Sequence, residues 1–172
     1  MTTRARFCPR CAAQLPAAPP VRCTSCGYEL FVNARPTGSV VVVDNAGRFL
    51  AIRRVRPPQE GLWELPGGFC DGWELPEAAA VREAREELGI EVRLGPLIGT
   101  YLGTYHYQDE PLPVLDSFWL AEIVAGEITL DPAEASELTW AGIADPPPLA
   151  FSTMDAAIKD VQTRGLLSGL LG

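Results

Sequence analysis

From Gly38 the chain reads GSVVVVD, a β-branched run ended by Asn45-Ala-Gly47, and Arg48 to Arg54 follows as a second strand. Residues 61–69, GLWELPGGF, predict a short strand broken by Pro66-Gly67-Gly68. Pro76 to Leu88 has the clearest helical pattern. It has proline at a tolerated first position, abundant alanine, and Gly89 where a C-terminal stop belongs. Leu75, just before it, has no side-chain oxygen with which to cap the helix. Segments near 91–105 and 114–125 predict longer strands, the second (VLDSFWLAEIV) rich in apolar residues. Asp145-Pro-Pro-Pro-Leu149 predicts a rigid loop, and Ser152 to Arg164 a second helix. The closing GLLSGLLG is apolar enough to pack against its own core or a partner subunit.

The first thirty residues follow another rule. Cys8-Pro-Arg-Cys11 and Cys23-Thr-Ser-Cys26 are two Cys-x-x-Cys pairs separated by eleven residues. A two-residue gap lets both sulfurs of a pair turn towards one point, and two such pairs give a tetrahedron of thiolates that suits Zn²⁺. Four cysteines leave no open coordination position, which is the pattern of a structural site rather than a catalytic one. A disulfide pair or redox dithiol is the other reading of the same spacing. The expected division is a zinc module over residues 1–34 and a larger domain over 35–172.

Charge sharpens that division. The 172 residues hold 14 Lys+Arg against 22 Asp+Glu, a net charge of −8. Residues 1–28 carry +4 with no acid, so the other 144 carry −12. Zinc thiolates would bring the +4 nearer to +2. Bulk acidity argues against a general nucleic-acid binder. The longest aliphatic run, Val40 to Val43, falls far short of the roughly 20 residues that span a bilayer. No signal peptide is visible, and a cytoplasmic location is expected.

The chemistry concentrates in residues 68–90, GFCDGWELPEAAAVREAREELGI. On a helix Glu83, Glu86 and Glu87 fall within an arc of roughly 100°. Ala80, Ala84 and Leu88 continue round from that arc, so the glutamates edge a buried face. Carboxylates this close repel unless a cation sits among them, and oxygen ligands suit Mg²⁺ or Mn²⁺. A solvated helix with Glu–Arg pairs is the alternative on helix charge alone. The preceding loop decides against it. Gly68, Glu74, Arg82, Glu83, Ala84, Glu86, Glu87, Gly89 and Ile90 occupy every fixed position of G-x5-E-x7-R-E-U-x-E-E-x-G-U, where U is apolar.

This segment resembles the Nudix box, and the resemblance extends over about residues 36–165. It implies an α/β/α sandwich around a mixed β-sheet. It also implies metal-assisted hydrolysis of a nucleoside diphosphate linked to another group. Carried over, Glu86 and Glu87 are direct metal ligands, Glu83 a ligand or orienter, and the Gly68 carbonyl a further ligand. Glu74 coordinates through water or orders the loop, and Arg82 orients a glutamate through a charge-assisted hydrogen bond. The general base is a box glutamate or one of a later loop, Glu134 or Glu137. Arg53, Arg54 and Arg56 either meet phosphate oxygens or are solvated strand-end charges. Tyr105 fits a substrate-binding aromatic or a packing residue. Cys70 and the single histidine, His106, have no expected catalytic role.

A zinc ribbon joined to such a domain is similar to the NADH pyrophosphatase and NAD-decapping branch, although the SQPWPFPxS-like stretch of that branch is absent here. The expected substrates are ADP-ribose or a dinucleotide such as NADH, FAD or a dinucleoside polyphosphate. The alternatives are an NAD-cap RNA hydrolase, or a nucleic-acid-binding regulator whose second domain senses a ligand. Nucleic acid is the less favoured partner. The apolar tail from Leu166 to Leu171 and the habit of the family are compatible with a homodimer.

Overall fold

Val21 pairs with Leu30 and Arg22 with Glu29, forming a two-stranded antiparallel ribbon of β1 (Val21–Arg22) and β2 (Glu29–Leu30). Beside it Cys8, Leu15 and Cys23 are buried in a small cluster separate from the two larger cores of the chain. The computed structural model describes residues 5–108 and 110–169.

The larger unit runs β3 (Arg35–Val42), β4 (Arg48–Arg54), β5 (Trp63–Glu64), β6 (Gly67–Phe69), α1 (Pro76–Leu88), β7 (Glu91–Tyr107), β8 (Glu110–Ala125), β9 (Ala135–Gly142) and α2 (Ser152–Thr163). A short 3-10 turn over Leu166–Gly169 follows. One sheet has the order β6-β3-β8-β7, and a second has β5-β4-β9. β3 and β8 run parallel while their other neighbours are antiparallel, so the first sheet is mixed.

Side chains alternate across a strand, and that alternation divides the core in two. Val41 points with Phe118 and Leu120 towards Met154, Ala157, Ile158 and Val161 of α2. Val40 and Val42 point the other way, onto Ala80, Ala84 and Leu88 of α1. The mixed sheet is thus filled on both faces by helices. An uninterrupted valine run is what a strand buried on both faces requires.

Two sequence expectations change in detail. β3 and β4 are consecutive but belong to different sheets, linked by a single bridge between Val43 and Phe49. The GLWELPGGF segment is two strands, with β5 in one sheet and β6 in the other. β9, which the sequence reading did not foresee, pairs with β4. Its ASELTWAG sequence is too polar to announce a strand by apolar alternation.

The α1 boundaries are as expected. Leu75 makes no side-chain cap, and Gly89 closes the helix in the left-handed conformation at φ 67°. Leu166 and Leu167 pack against the α2-side core, while Leu170 and Leu171 lie outside the described residues. No helix among the described residues is long and apolar enough to cross a membrane.

Candidate active site

β6 and the C-terminal half of α1 meet in a cleft of about 730 Å³. Three of its walls come from the mixed sheet, the start of α2 and the segment after β4. Glu83, Glu86 and Glu87 all line it, as do Gly67 and Gly68. The helical spacing that put the three carboxylates on one arc therefore aims them into a single cavity. Their exposures differ sharply. The Glu86 side chain is 58% accessible, that of Glu83 16%, and Glu87 is buried.

Glu87 sets the electrostatics. Its Oε2 accepts the Gly67 N–H at 2.9 Å, but burial dominates, and the charges of Glu64 and Glu83 add to it. Its carboxyl is pushed well above the usual carboxylate range. Burial also raises Glu83, against the opposing pull of Arg82. Glu64 on β5 is pushed up to about 6 by burial, partly offset by its ion pair with Arg54. Three acidic groups are thus desolvated within one small volume, a state that favours protons or a cation over free negative charge.

Arg82 holds the neighbouring carboxylates in place. Its fork donates twice to Glu74, at 3.0 and 2.9 Å, once to Glu83 at 2.8 Å and once to Glu86 at 2.7 Å. The remaining bond goes to the Phe69 carbonyl at 3.1 Å. All five N–H donors of the guanidinium are used, which only arginine can do at this geometry. Hydrogen bonding from Arg82 holds the Glu74 carboxyl below its ordinary value. Glu74 also accepts the Asp71 N–H at 3.0 Å, which fixes the loop between β6 and α1. Gly68 has no side chain for a steric reason: a Cβ there would fall on the Glu83 carboxylate.

The remaining expected residues divide by strand alternation. Arg54 lines the cleft, pairs with Glu64 and lies with its guanidinium 5.2 Å from the Phe151 ring centroid. Tyr105 lines it as well, packed edge-on to Phe69 at 5.4 Å and tilted against Phe151 at 5.6 Å. Arg53 and Glu137 do not reach the cleft. They pair with each other at 2.9 Å away from its lining, because Arg53 points to the opposite side of β4 from Arg54. Of the two later glutamates it is Glu134 that lines the cleft, paired with Arg56 at 2.7 Å. Burial raises the Cys70 thiol, so it is not an activated nucleophile. His106 lies in a separate hollow beside Pro57 and Pro58.

Several cleft residues were not anticipated: Glu64, Thr37, Asp116, Asp131, Phe151 and Thr153. Glu64 had a signal, since it is the one acid in the apolar segment GLWELPGGF.

The four cysteines form a second site. Their sulfurs all lie within 4.8 Å of one another, with Cys8–Cys26 and Cys11–Cys23 each at 3.7 Å. A disulfide needs about 2.05 Å, and all four cysteines are free thiols. Tetrahedral thiolates with Zn–S bonds of about 2.3 Å would stand about 3.8 Å apart, so the donor set has the spacing of a metal site. Both knuckles close alike. Ala12 N–H donates to Cys8 O at 2.8 Å and Gly27 N–H to Cys23 O at 2.9 Å, with φ of 59° and 74°. Gly27 adopts that left-handed backbone freely, and Ala12 does so at some cost.

Comparison with known proteins agrees with this geometry. The family model described as NUDIX domain matches residues 34–161. The chain is 35% identical over 101 residues to a putative 8-oxo-dGTP diphosphatase of Bacillus subtilis, covering 59% of this chain and 62% of that one. It is 30% identical over 148 residues to the NAD-capped RNA hydrolase NudC of Pseudomonas aeruginosa, covering 84% of this chain but only 50% of the relative. Among solved structures, a MutT NUDIX hydrolase from Burkholderia pseudomallei superposes with a TM-score of 0.66 at 31% identity, over 75% of this chain and 98% of that one. On these grounds, and with an intact box lining its cleft, the chain belongs to the NUDIX domain family.

Proposed function

We propose that this protein hydrolyses the pyrophosphate bond of a nucleoside diphosphate linked to a second group, using Mg²⁺ or Mn²⁺. The observation that carries the reading is the buried Glu87 beside Glu64 and Glu83. Such a concentration of desolvated carboxylates serves no packing purpose and is relieved by a divalent cation. The donor set is all oxygen, which fits a hard cation. Glu86, Glu87 and the Gly68 carbonyl would hold it, with Glu83 as a further ligand or orienter. Bound there, it would supply charge neutralisation on the phosphates and activation of water.

The chain's own residues do the rest. Arg82 orients Glu83 and Glu86 through direct hydrogen bonds. Arg54 and Arg56 line the same cleft, paired with Glu64 and Glu134, and present positive charge to the phosphates. Tyr105, Phe69 and Phe151 offer flat faces to a base or nicotinamide ring. Glu134, facing the cleft, is better placed than Glu137 to take a proton from water if a box glutamate does not.

The four-cysteine site is read as structural Zn²⁺ within a ribbon over residues 1–34, followed by the catalytic domain over 35–172. A cytoplasmic setting suits it, because reduced thiols are what such a site needs. A second reading, hydrolysis of an NAD-type cap on RNA, draws support from the similarity to the Pseudomonas NAD-capped RNA hydrolase across 84% of this chain. Assay of ADP-ribose, a GDP-linked sugar, NADH, dinucleoside polyphosphates of adenine and guanine, and NAD-capped RNA with Mg²⁺ and Mn²⁺, with product identification, distinguishes the two. Turnover of the small conjugates supports the first reading, and turnover of capped RNA alone supports the second.

A further inference from the structure

Thr37, Asp116 and Thr153 come from β3, β8 and α2 and converge on one part of the cleft lining. Asp116 Oδ1 accepts the Thr37 hydroxyl at 2.7 Å, and Oδ2 accepts the Thr153 hydroxyl at 2.6 Å. Each carboxylate oxygen can accept two hydrogen bonds, so the pair of hydroxyls fixes the group without exhausting it.

β7 passes close to this carboxylate, and residue 103 there is glycine. A Cβ at Gly103 would stand 3.3 Å from Asp116 Oδ2 and 2.8 Å from Thr153 Cγ2. Aromatic surface lies within the same cleft, where Tyr105 packs edge-on to Phe69 and tilted against Phe151. Phe69, Thr37 and Asp116 are register partners on three adjacent strands. Strands about 4.8 Å apart therefore put Asp116 roughly 10 Å from β6, the strand that carries Gly68. A nucleotide whose phosphates meet the box would bring its base to this part of the cleft.

We propose that Asp116 reads that base and favours guanine over adenine. The inference rests on the nucleotide-hydrolase reading above. A doubly anchored carboxylate is an acceptor at both oxygens and matches two adjacent donors on a flat ring. The N1–H and N2–H of guanine are such a pair. Adenine offers one amine beside a ring nitrogen, and that nitrogen would turn a lone pair towards Asp116. The ribose cis-diol is also a donor pair, but it has no flat face for the aromatic wall.

Calorimetric titration of the full-length chain with GMP, 2′-deoxy-GMP and AMP in Mg²⁺ reads base selection without requiring hydrolysis. GMP and 2′-deoxy-GMP are expected to bind alike, and at least about tenfold more tightly than AMP. Asp116→Asn should remove most of that preference. Thr153→Val removes one of the two hydroxyls that fix the carboxylate, and it should weaken the preference less than Asp116→Asn does while lowering thermal stability. Should Asp116→Asn fail to fold, inosine 5′-monophosphate on the parent chain gives the same reading: it keeps N1–H but lacks the 2-amino group, and it should bind about tenfold more weakly than GMP. Equal binding of GMP and AMP overturns the proposal. So does a loss confined to the 2′-deoxy ligand, or identical behaviour of the Asp116 and Thr153 variants. Selective GMP binding with no turnover of any conjugate would uphold the role of Asp116 while removing the hydrolase reading.

Discussion

The backbone N–H of Gly67 donates to Oε2 of Glu87 across 2.9 Å, tying the edge strand β6 to the helix that carries the glutamates. This single bond is the main local compensation for a carboxyl that burial and three neighbouring acids otherwise oppose. Glu87→Gln keeps the shape and removes the charge. Its effect on turnover should exceed the roughly 10–100-fold that loss of an outer-shell partner produces. Thermal unfolding without metal should show the variant at least as stable as the parent, because the desolvation of a charged group is gone. Steady-state kinetics and unfolding on the same preparation check both halves.

The pH dependence follows from the same groups. Glu64, Glu83 and Glu87 have raised proton affinity in the folded chain. A carboxyl raised in this way binds more protons folded than unfolded, so stability is greatest below its unfolded value and declines as pH rises through the folded one. For Glu64, raised to about 6, the loss is on the order of 2 kcal/mol. Glu74 is shifted down, and its contribution is complete before this window opens. The metal-free chain should therefore melt at a lower temperature at pH 8 than at pH 5.5. Added Mg²⁺ should raise the melting temperature more at pH 8, where the carboxylates are free to bind it.

Arg82→Lys tests the orienting role. Lysine carries the charge but cannot serve Glu74, Glu83, Glu86 and the Phe69 carbonyl together. A fall of about 10–100-fold in kcat with little change in KM is expected, since the side chain holds ligands and does not touch substrate. A rise in KM alone would assign Arg82 to substrate binding instead.

The four-cysteine cluster and the larger unit have separate cores. Chelation should release one zinc per chain and make Cys8, Cys11, Cys23 and Cys26 reactive towards a thiol reagent. Proteolysis should then cut within the first thirty residues. Turnover of small conjugates should change less than about twofold, because the box lies outside the ribbon. Zinc analysis, thiol titration and assay of one sample check this.

The chemistry was legible in the sequence where spacing alone decides geometry. A fixed helical pitch puts Glu83, Glu86 and Glu87 on one arc, and a two-residue gap closes each cysteine knuckle. What depends on chain crossings was not legible. Arg53 and Arg54 look equivalent in sequence, yet strand alternation sends one to Glu137 and the other into the cleft. Asp116 and Thr153 are 37 residues apart and become partners only when α2 docks on the sheet. β9 is missed for a similar reason, since its polar sequence becomes a strand by pairing with β4.

The most direct test of the account is the release of nucleoside monophosphate from a nucleotide conjugate with Mg²⁺, measured for the parent chain and for Glu86→Gln and Glu87→Gln. The account predicts metal-dependent release by the parent and none above background by either variant, with both variants folded. Release at the parental rate by either variant, or release that is indifferent to metal, would contradict it.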